Sequence, residues 1–447
     1  MRAFDLILLG AGNSADVYRA ANTAALRTAV IEKGLLGGTC PNRGCIPSKL
    51  LLGHADVADG IRAAGRFHID ASIGSIDGDA ILRDVREYTD LWDGKLAGAL
   101  GENITLFRGH GRFVDDKTVE VNGERLTADK IVIGTGSRPR RLDLGVPYLT
   151  SDEIFSIESL PDSVVFVGGG FISAELAHFF SGVGVQTTIL AREGSLLGRE
   201  DEETAGIFCE AFGRRVDVRY HTELKRAEFD GSRYTLHLSD GSTLDTGLLV
   251  VAIGRVPNSD DLGLENTSVR LDSRGAIETD DHLRTTAPGV FALGDVAGKY
   301  AFTHTASLEA AYLGKLLTSA TDEPIDYGPV PHAVFTEPEL AGVGQTEREL
   351  IDAKIDYVKA TVPFKNVTKG RAIKEEHGLA KLLVARDGTI LGAHLVGAHS
   401  SILIQEIVAA MKWRNHVSTL TDVIHLHPGL PEVIGSVAAK AARKLAQ

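Results

Sequence analysis

Short apolar runs that end on glycine recur along this chain, and each reads as a buried strand delivered into a turn. The first, Leu6-Ile7-Leu8-Leu9, enters Gly10-Ala11-Gly12-Asn13-Ser14-Ala15 and then an Ala-rich stretch near Tyr18 to Ala25 that predicts a helix. A second strand, Thr28-Ala29-Val30-Ile31, ends at Glu32. The order returns in mid-chain as Val164-Val165-Phe166-Val167, then Gly168-Gly169-Gly170-Phe171-Ile172-Ser173-Ala174-Glu175, then a strand from Gln186 to Leu190. Three further runs reach a glycine: Ile131 to Gly136, Leu249 to Gly254, and Val290 to Gly294, the last followed by Asp295. From about Val330 the pattern changes to alternating short strands with two helices, an amphipathic one over Ser400 to Met411 and a final one over Ala438 to Leu445. The longest apolar tract, Val164 to Val185, is broken by its glycine turn and holds Glu175 and His178. It predicts a buried strand, turn and helix, not a membrane span.

Strand, glycine turn, helix and strand in that order form a Rossmann-like unit, and two such units imply two dinucleotides. In the first, G-x-G-x-x-A is followed by an acid, Glu32, 22 positions after Gly10. The glycines let backbone approach a pyrophosphate, the helix N-terminus faces the anion, and the acid binds a ribose hydroxyl. In the second, 23 positions from Gly168 leads to Ala191, where an NAD site would place its acid, and Arg192 follows. A guanidinium there suits a 2′-phosphate and favours NADPH over NADH, although Glu193 is adjacent and Arg192 also reads as a solvated strand-end charge. Asp295, beside its glycine turn, is placed to accept hydrogen bonds from a ribityl chain or a helix terminus. The chain thus reads as α/β, two Rossmann-like dinucleotide-binding domains and a C-terminal α+β domain.

Composition narrows the function classes. Lys plus Arg number 47 against 60 Asp plus Glu, a net charge of −13 that argues against nucleic-acid or anionic-membrane partners. Three cysteines do not make a secreted disulfide scaffold, and the isolated Cys209 reads as a packing residue. Met1 to Gly12 reads as a strand and turn and not as a signal peptide, so a cytoplasmic location is expected.

Cys40 and Cys45 stand five positions apart in Gly37-Gly38-Thr39-Cys40-Pro41-Asn42-Arg43-Gly44-Cys45-Ile46-Pro47-Ser48-Lys49, directly behind the first dinucleotide unit. Five extended residues span roughly 17 Å and a disulfide needs its Cα atoms within about 7 Å, so a bonded pair demands a coiled segment. Gly44 and Pro47 permit one. In a helical turn Lys49 shares the face of Cys45, where its ammonium favours a thiolate. The pair reads as a redox disulfide, with a structural disulfide or a zinc half-site as alternatives. No second Cys/His cluster of metal-ligand spacing accompanies it, and no metal is expected. Near the C-terminus, His425-Leu426-His427-Pro428-Gly429-Leu430-Pro431-Glu432 reads three ways: metal ligands, a satisfied surface loop, or an imidazole oriented by a carboxylate.

With these motifs in this order, the chain resembles, essentially end to end, the FAD-dependent pyridine nucleotide–disulfide oxidoreductases. These include glutathione reductase, dihydrolipoamide dehydrogenase, mercuric reductase and mycothione reductase. Through Gly170-Phe171-Ile172, Ala177-His178, Thr150-Ser151-Asp152, Phe335-Thr336-Glu337-Pro338 and the terminal His-Pro stretch it looks most like the mycothione reductases. The resemblance implies an FAD domain over 1–148 and 272–326, an NAD(P)H domain over 149–271 and a dimerisation domain over 327–447. It implies that Cys45 is the flavin-facing charge-transfer thiolate, Cys40 the interchange thiol, and His427, held by Glu432, an acid/base supplied across an obligate homodimer. Lys49 and Glu175 match the pair beside the flavin, and Phe171 matches the aromatic gate for the nicotinamide. Gly10, Gly12, Glu32 and Asp295 match FAD contacts, while Gly168, Gly170 and Arg192 match the nicotinamide nucleotide site. Gly38, Thr39, Gly136 and Gly254 are further expected cofactor contacts.

The activity implied is NADPH-dependent reduction of a low-molecular-weight thiol disulfide, mycothione-like or glutathione-like, through FAD and a Cys40–Cys45 disulfide. An NAD-dependent dihydrolipoamide dehydrogenase is the alternative, and Arg192 is the feature against it. No cysteine follows Cys209, so a C-terminal thiol pair is not expected and a small disulfide should reach Cys40 directly. Pro41 and Arg43 between the cysteines, and Gly429 and Pro431 beside the terminal histidine, depart from the family pattern and bear on substrate identity.

Overall fold

The computed structural model describes residues Met1–Gln447. Its first sheet grows from β1 (Arg2–Leu9), α1 (Ala15–Thr23) and β2 (Thr28–Glu32). Two helices follow that divide the redox motif between them, α2 (Thr39–Arg43) and α3 (Cys45–Ala63), and then the outer helix α4 (Gly78–Gly98). Strands β3 (Ile104–Arg108), β4 (Gly111–Asp115), β5 (Thr118–Val121) and β6 (Glu124–Ile133) complete the order β3-β2-β1-β6-β5-β4. β1 pairs in parallel with β2 and β6, and its Ile7 and Leu8 are fully buried, as strands covered on both faces must be. Ile131 to Ile133 of β6 also pair in parallel with the late strand Val290–Ala292. The turns at Gly10, Gly134–Gly136 and Gly294–Asp295 therefore open at one end of the sheet, where a doubly wound fold binds its ligand. α1 starts and ends earlier than the sequence suggests, because Ala25 takes a left-handed conformation (φ 56°) and Leu26 N–H closes onto Ala21 O at 2.9 Å.

The second sheet is wholly parallel. It is formed by β7 (Leu149–Thr150), β8 (Ser163–Val167), β9 (Gln186–Leu190), β10 (Asp217–Arg219) and β11 (Leu248–Val251), in the order β10-β9-β8-β11-β7. α5 (Phe171–Gly182) links β8 to β9, and its residues Ser173 to Phe180 are all buried. α6 (Glu202–Phe212) links β9 to β10.

After α7 (Thr303–Leu317) comes a five-stranded antiparallel sheet, in the order Pro331–Val334, Leu340–Gly344, Ile390–Val396, Leu379–Ala385, Tyr357–Pro363. α8 (Ser400–Trp413) and α9 (Glu432–Leu445) cover it, burying Ile404, Ile407, Val433 and Val437 with Ala380 and Leu382. α9 begins at Glu432 and not near Ala438, because the Glu432 carboxylate takes the Gly429 N–H at 3.0 Å and the first turn buries Val433 and Ile434. No helix is long and apolar enough to cross a membrane.

Candidate active site

The first glycine turn is a cradle built by close backbone approach. Gly10 sits at φ +90°, and a Cβ on it would stand 2.4 Å from Gly134 O. Gly38, at φ +64°, lies against Gly12, so the segment leading into α2 folds over the turn. Gly12 itself faces open space, and no side chain caps the N-terminal amides of α1. Glu32 fixes its carboxylate beside the turn, taking Ala11 N–H at 2.8 Å and Gly34 N–H at 2.7 Å on separate oxygens. Each oxygen keeps a lone pair for a ribose hydroxyl. Asp295 faces the same opening and accepts from Ser137 Oγ at 2.5 Å. Gly136 (φ +66°) is also at this end, its carbonyl taken by Asn258 N–H at 2.9 Å. Free helix amides, a carboxylate at the end of β2 and room at Gly12 fit the diphosphate and ribose of FAD.

Thr39 opens α2, Cys40 follows it, and Cys45 opens α3 across the Gly44 break. The segment from Thr39 to Ser48 is helical on both sides of Gly44, so it coils as a disulfide requires. The two cysteines are unbonded in the structure, one of the two states between which a redox pair cycles. The two differ in acidity. Cys45 is lowered to about 6, chiefly because it accepts the Cys40 S–H, with Thr303 and the Lys49 charge also favouring its thiolate against the opposing effect of burial. Cys40 is pushed up, since it is the donor in that bond and is itself desolvated. Thr303 Oγ1 lies 3.3 Å from Cys45 Sγ.

Lys49 favours the Cys45 thiolate, as the spacing suggests, and has a second partner. Its ammonium is claimed by both Glu175 oxygens, at 3.0 and 2.8 Å. Glu175 is buried on α5, Lys49 is on α3, and Phe335 N–H donates to Glu175 Oε1 at 3.1 Å from the end of a strand in the third sheet. Lys49 Nζ also lies 4.5 Å from the Phe335 ring centroid. A second polar chain reaches the redox motif. Arg43, between the cysteines, lies 3.4 Å from Asp152, which takes Arg255 Nη1 at 3.0 Å; Arg255 Nε donates to Ser137 Oγ at 2.8 Å, and Ser137 donates to Asp295.

The second glycine turn repeats the first. A Cβ on Gly168 (φ +124°) would stand 2.4 Å from Ala252 O, Gly170 faces open space, and α5 starts without a side-chain cap. Phe171, the first residue of α5, is 48% exposed at its mouth. Gly254 (φ +109°) lies beside Arg255. Arg192 is a strand-end charge, 74% exposed and paired with Glu193 at 2.9 Å.

His427 stands apart from the sulfurs. Its only side-chain partner in the chain is Glu432, at 2.8 Å from Nδ1, and it is 71% exposed. The Glu432 carboxyl is lowered, first by its bond to His427 and then by Gly429 N–H. His425 turns instead to Glu406 of α8 at 2.8 Å, so the two histidines diverge, each with its own carboxylate. Thr303, Phe335, Asp152 and Arg255 were not singled out in the sequence as site residues. Their partners lie 103 to 258 positions away, beyond any local spacing.

Comparison with known proteins agrees with this geometry. The pyridine nucleotide-disulphide oxidoreductase family model matches residues 4–310, and the dimerisation domain of the same family matches residues 330–438. Mycothione reductase from Mycobacterium tuberculosis is 36% identical, over 97% of this chain and 98% of its own. Dihydrolipoyl dehydrogenase from Chlamydia trachomatis is 34% identical over 96% and 95%, and glutathione reductase from Burkholderia cepacia is 30% identical over 96% and 97%. Among solved structures, LpdA from Mycobacterium tuberculosis superposes with a TM-score of 0.88 over 98% of this chain and 99% of its own, at 24% identity. The Cu(II) complex of the HOCl-induced flavoprotein disulfide reductase RclA from Escherichia coli gives 0.87 over 98% and 100%, at 25% identity. Two nucleotide cradles joined by a thiol pair, under two family models that span the chain, make this protein a member of the FAD-dependent pyridine nucleotide–disulphide oxidoreductases, enzymes that act on sulfur groups.

Proposed function

We propose that the protein is an NADPH-dependent flavoprotein reductase of a low-molecular-weight thiol disulfide, mycothione-like before glutathione-like. The observation that carries this reading is the placement of the two cysteines behind the first nucleotide cradle, Cys40 in α2 and Cys45 opening α3 with Thr303 Oγ1 3.3 Å from its sulfur, which gives each sulfur a separate task. FAD, when bound, would supply hydride acceptance from the reduced nicotinamide and two-electron transfer to the sulfur pair. Gly10, Gly12, Glu32, Gly38, Thr39, Gly136 and Asp295 would hold it, with Lys49 and Glu175 beside its reactive ring. Gly168, Gly170, Phe171, Arg192 and Gly254 would hold the nicotinamide nucleotide.

The chain's own residues then perform thiol–disulfide exchange. Cys45 rests as the thiolate, held by Cys40 S–H and Thr303 Oγ1. Cys40 must lose its proton before it attacks, and the neighbouring Cys45 thiolate is kept for the later ring closure. The partner subunit's His427, oriented by Glu432, takes that proton. Cys40 displaces one thiolate from the substrate disulfide and forms a mixed disulfide, and the imidazolium protonates the thiolate as it leaves. Cys45 then attacks the Cys40 sulfur and closes the Cys40–Cys45 bond, and the second substrate sulfur leaves as a thiolate that takes its proton from water. One disulfide is reduced to two thiols per nicotinamide oxidised.

The dimer this requires has a surface to form on. Beside His427, Ile424 and Leu426 are 97% and 77% exposed, more apolar surface than a lone chain leaves in water without reason. The family's dimerisation domain covers this segment. A cytoplasmic homodimer, with neither nucleic acid nor membrane as partner, completes the reading.

A second reading, NAD-dependent dihydrolipoamide dehydrogenase, draws support from the 34% identical relative and from Glu193, which already occupies Arg192. Steady-state rates with mycothiol disulfide and glutathione disulfide, each with NADPH and NADH, and with dihydrolipoamide plus NAD, separate the two. Fast NADPH-linked reduction of mycothiol disulfide supports the first reading. Turnover confined to dihydrolipoamide and NAD replaces it with the second.

A further inference from the structure

The Lys49–Glu175 pair is not the only polar clasp between α3 and α5. Phe171, Glu175, His178 and Gly182 fall at i, i+4, i+7 and i+11, which is one stripe of α5. That stripe lies along α3. Glu175 meets Lys49, His178 meets Asp56, and a Cβ on Gly182 would stand 2.6 Å from the Cβ of Ala55. The small-residue contact sets how close the helices come but not how α5 is rotated.

The His178 side chain is fully buried. Its Nε2 lies 2.9 Å from Asp56 Oδ1, and its Nδ1 faces Arg215 Nη2. Arg215 follows α6 and also reaches Asp59 of α3. A guanidinium has only N–H donors, so the nitrogen facing it accepts, and Nε2 carries the ring proton and donates it to Asp56. His178 is thereby held between a guanidinium and a carboxylate. It joins α3, α5 and the turn after α6, and no step of the sulfur relay uses it.

We propose that His178 is a positioning residue for reduction by the nicotinamide nucleotide: together with Lys49–Glu175 it fixes the rotation of α5 against α3, and so sets where Phe171 and Glu175 stand. Two clasps, seven positions apart on α3 and three on α5, define an orientation that one alone leaves free. This inference rests on the reading of Phe171 as the gate for the nicotinamide and of Glu175 as a group beside the flavin ring that receives its hydride. It predicts an effect confined to the reductive half of the cycle, because Cys45 and Thr303 lie outside the clasp.

The test compares FAD-loaded wild type with His178→Leu, His178→Asn and Asp56→Ala. Stopped-flow flavin reduction by NADPH should slow about ten- to a hundredfold in His178→Leu, the loss expected of misplacement on the order of 1 Å. Reoxidation of the prereduced protein by an aromatic disulfide should stay within about twofold of wild type. Asn, which keeps one donor and one acceptor, should recover most of the lost rate, and Asp56→Ala should slow the same half-reaction by a smaller factor. Amide hydrogen exchange across Phe171–Gly182 should rise in His178→Leu, first turn included, and return in His178→Asn. A parallel fall in both half-reactions, or wild-type flavin reduction in His178→Leu and Asp56→Ala, overturns the proposal. If His178→Leu does not retain flavin, the other two variants decide on the same readouts. A wild-type protein that no nicotinamide nucleotide reduces removes the functional reading itself, whereas normal wild-type reduction with unaffected variants removes only this inference.

Discussion

Thr303 Oγ1 lies 3.3 Å from Cys45 Sγ, although 258 positions separate the two residues. The contact places the first residue of α7 against the sulfur that opens α3. A hydroxyl donating to a thiolate stabilises the charged form and lowers the thiol's pKa. Thr303→Val keeps the shape and removes the donor. The Cys45 midpoint should rise by on the order of one pH unit from its value of about 6. Thiolate absorbance followed against pH checks this, and an unmoved midpoint would show that the charge is held without Thr303.

The acid/base assignment predicts a split between the half-reactions. His427→Ala should retain FAD and its reduction by NADPH while losing about 10²–10⁴-fold in disulfide turnover. Glu432→Gln keeps the shape and one of the two acceptor oxygens but not the charge, and should lose about tenfold in the same step. Normal steady-state rates in His427→Ala would take this residue out of the chemistry.

Arg192 predicts a difference between nucleotides. Arg192→Ala should raise the KM for NADPH by about tenfold or more, the worth of one charge-assisted phosphate contact, and leave that for NADH nearly unchanged. Equal changes for both nucleotides would show that Arg192 serves only its ion pair with Glu193.

Lys381 predicts a stability effect far from the sulfurs. Its ammonium is 1% exposed and bonds Asp201, itself fully buried, at 2.8 Å, joining the second sheet's domain to the antiparallel one. Lys381→Met leaves that carboxylate unpaired and should cost about 3–5 kcal/mol in denaturant unfolding, part of it recovered by adding Asp201→Asn. A loss under about 1 kcal/mol would contradict this. Burial acts to raise the neighbouring Glu347 carboxyl, but bonds from Lys381, Tyr357 and Lys359 outweigh it and hold the group at about 2. Its folded value lies below its ordinary 4.5, so its contribution is complete above pH 4.5 and drains away as the pH falls to about 2. The melting temperature should fall through that window in wild type.

What was legible in the sequence is what local spacing encodes. Glu32 follows Gly10 at a fixed interval because one βαβ unit carries both, and Lys49 follows Cys45 by one helical turn. His427 and Glu432 meet because α9 starts at the glutamate. Thr303, Phe335 and Asp152 reach the site only through tertiary packing, and no periodicity announces them. Lys49 favours the Cys45 thiolate as its spacing implies, but Glu175, which takes its ammonium, stands 126 positions away and no local spacing pairs the two. Helix ends were less legible than helices, since a left-handed Ala25 and the early carboxylate of Glu432 moved the boundaries of α1 and α9.

The division of labour between the two sulfurs is tested most directly by the absorbance, beyond the main flavin bands, of oxidised Cys40→Ser and Cys45→Ser holoproteins titrated anaerobically with acid and base. Cys40→Ser retains an O–H donor and a lone Cys45, so it should show a long-wavelength band without any reductant, appearing as the pH rises through about 6. Cys45→Ser should show none at any pH. A band in Cys45→Ser, or its absence from Cys40→Ser in the folded, flavin-loaded protein, would contradict the assignment of Cys45 as the flavin-facing thiolate.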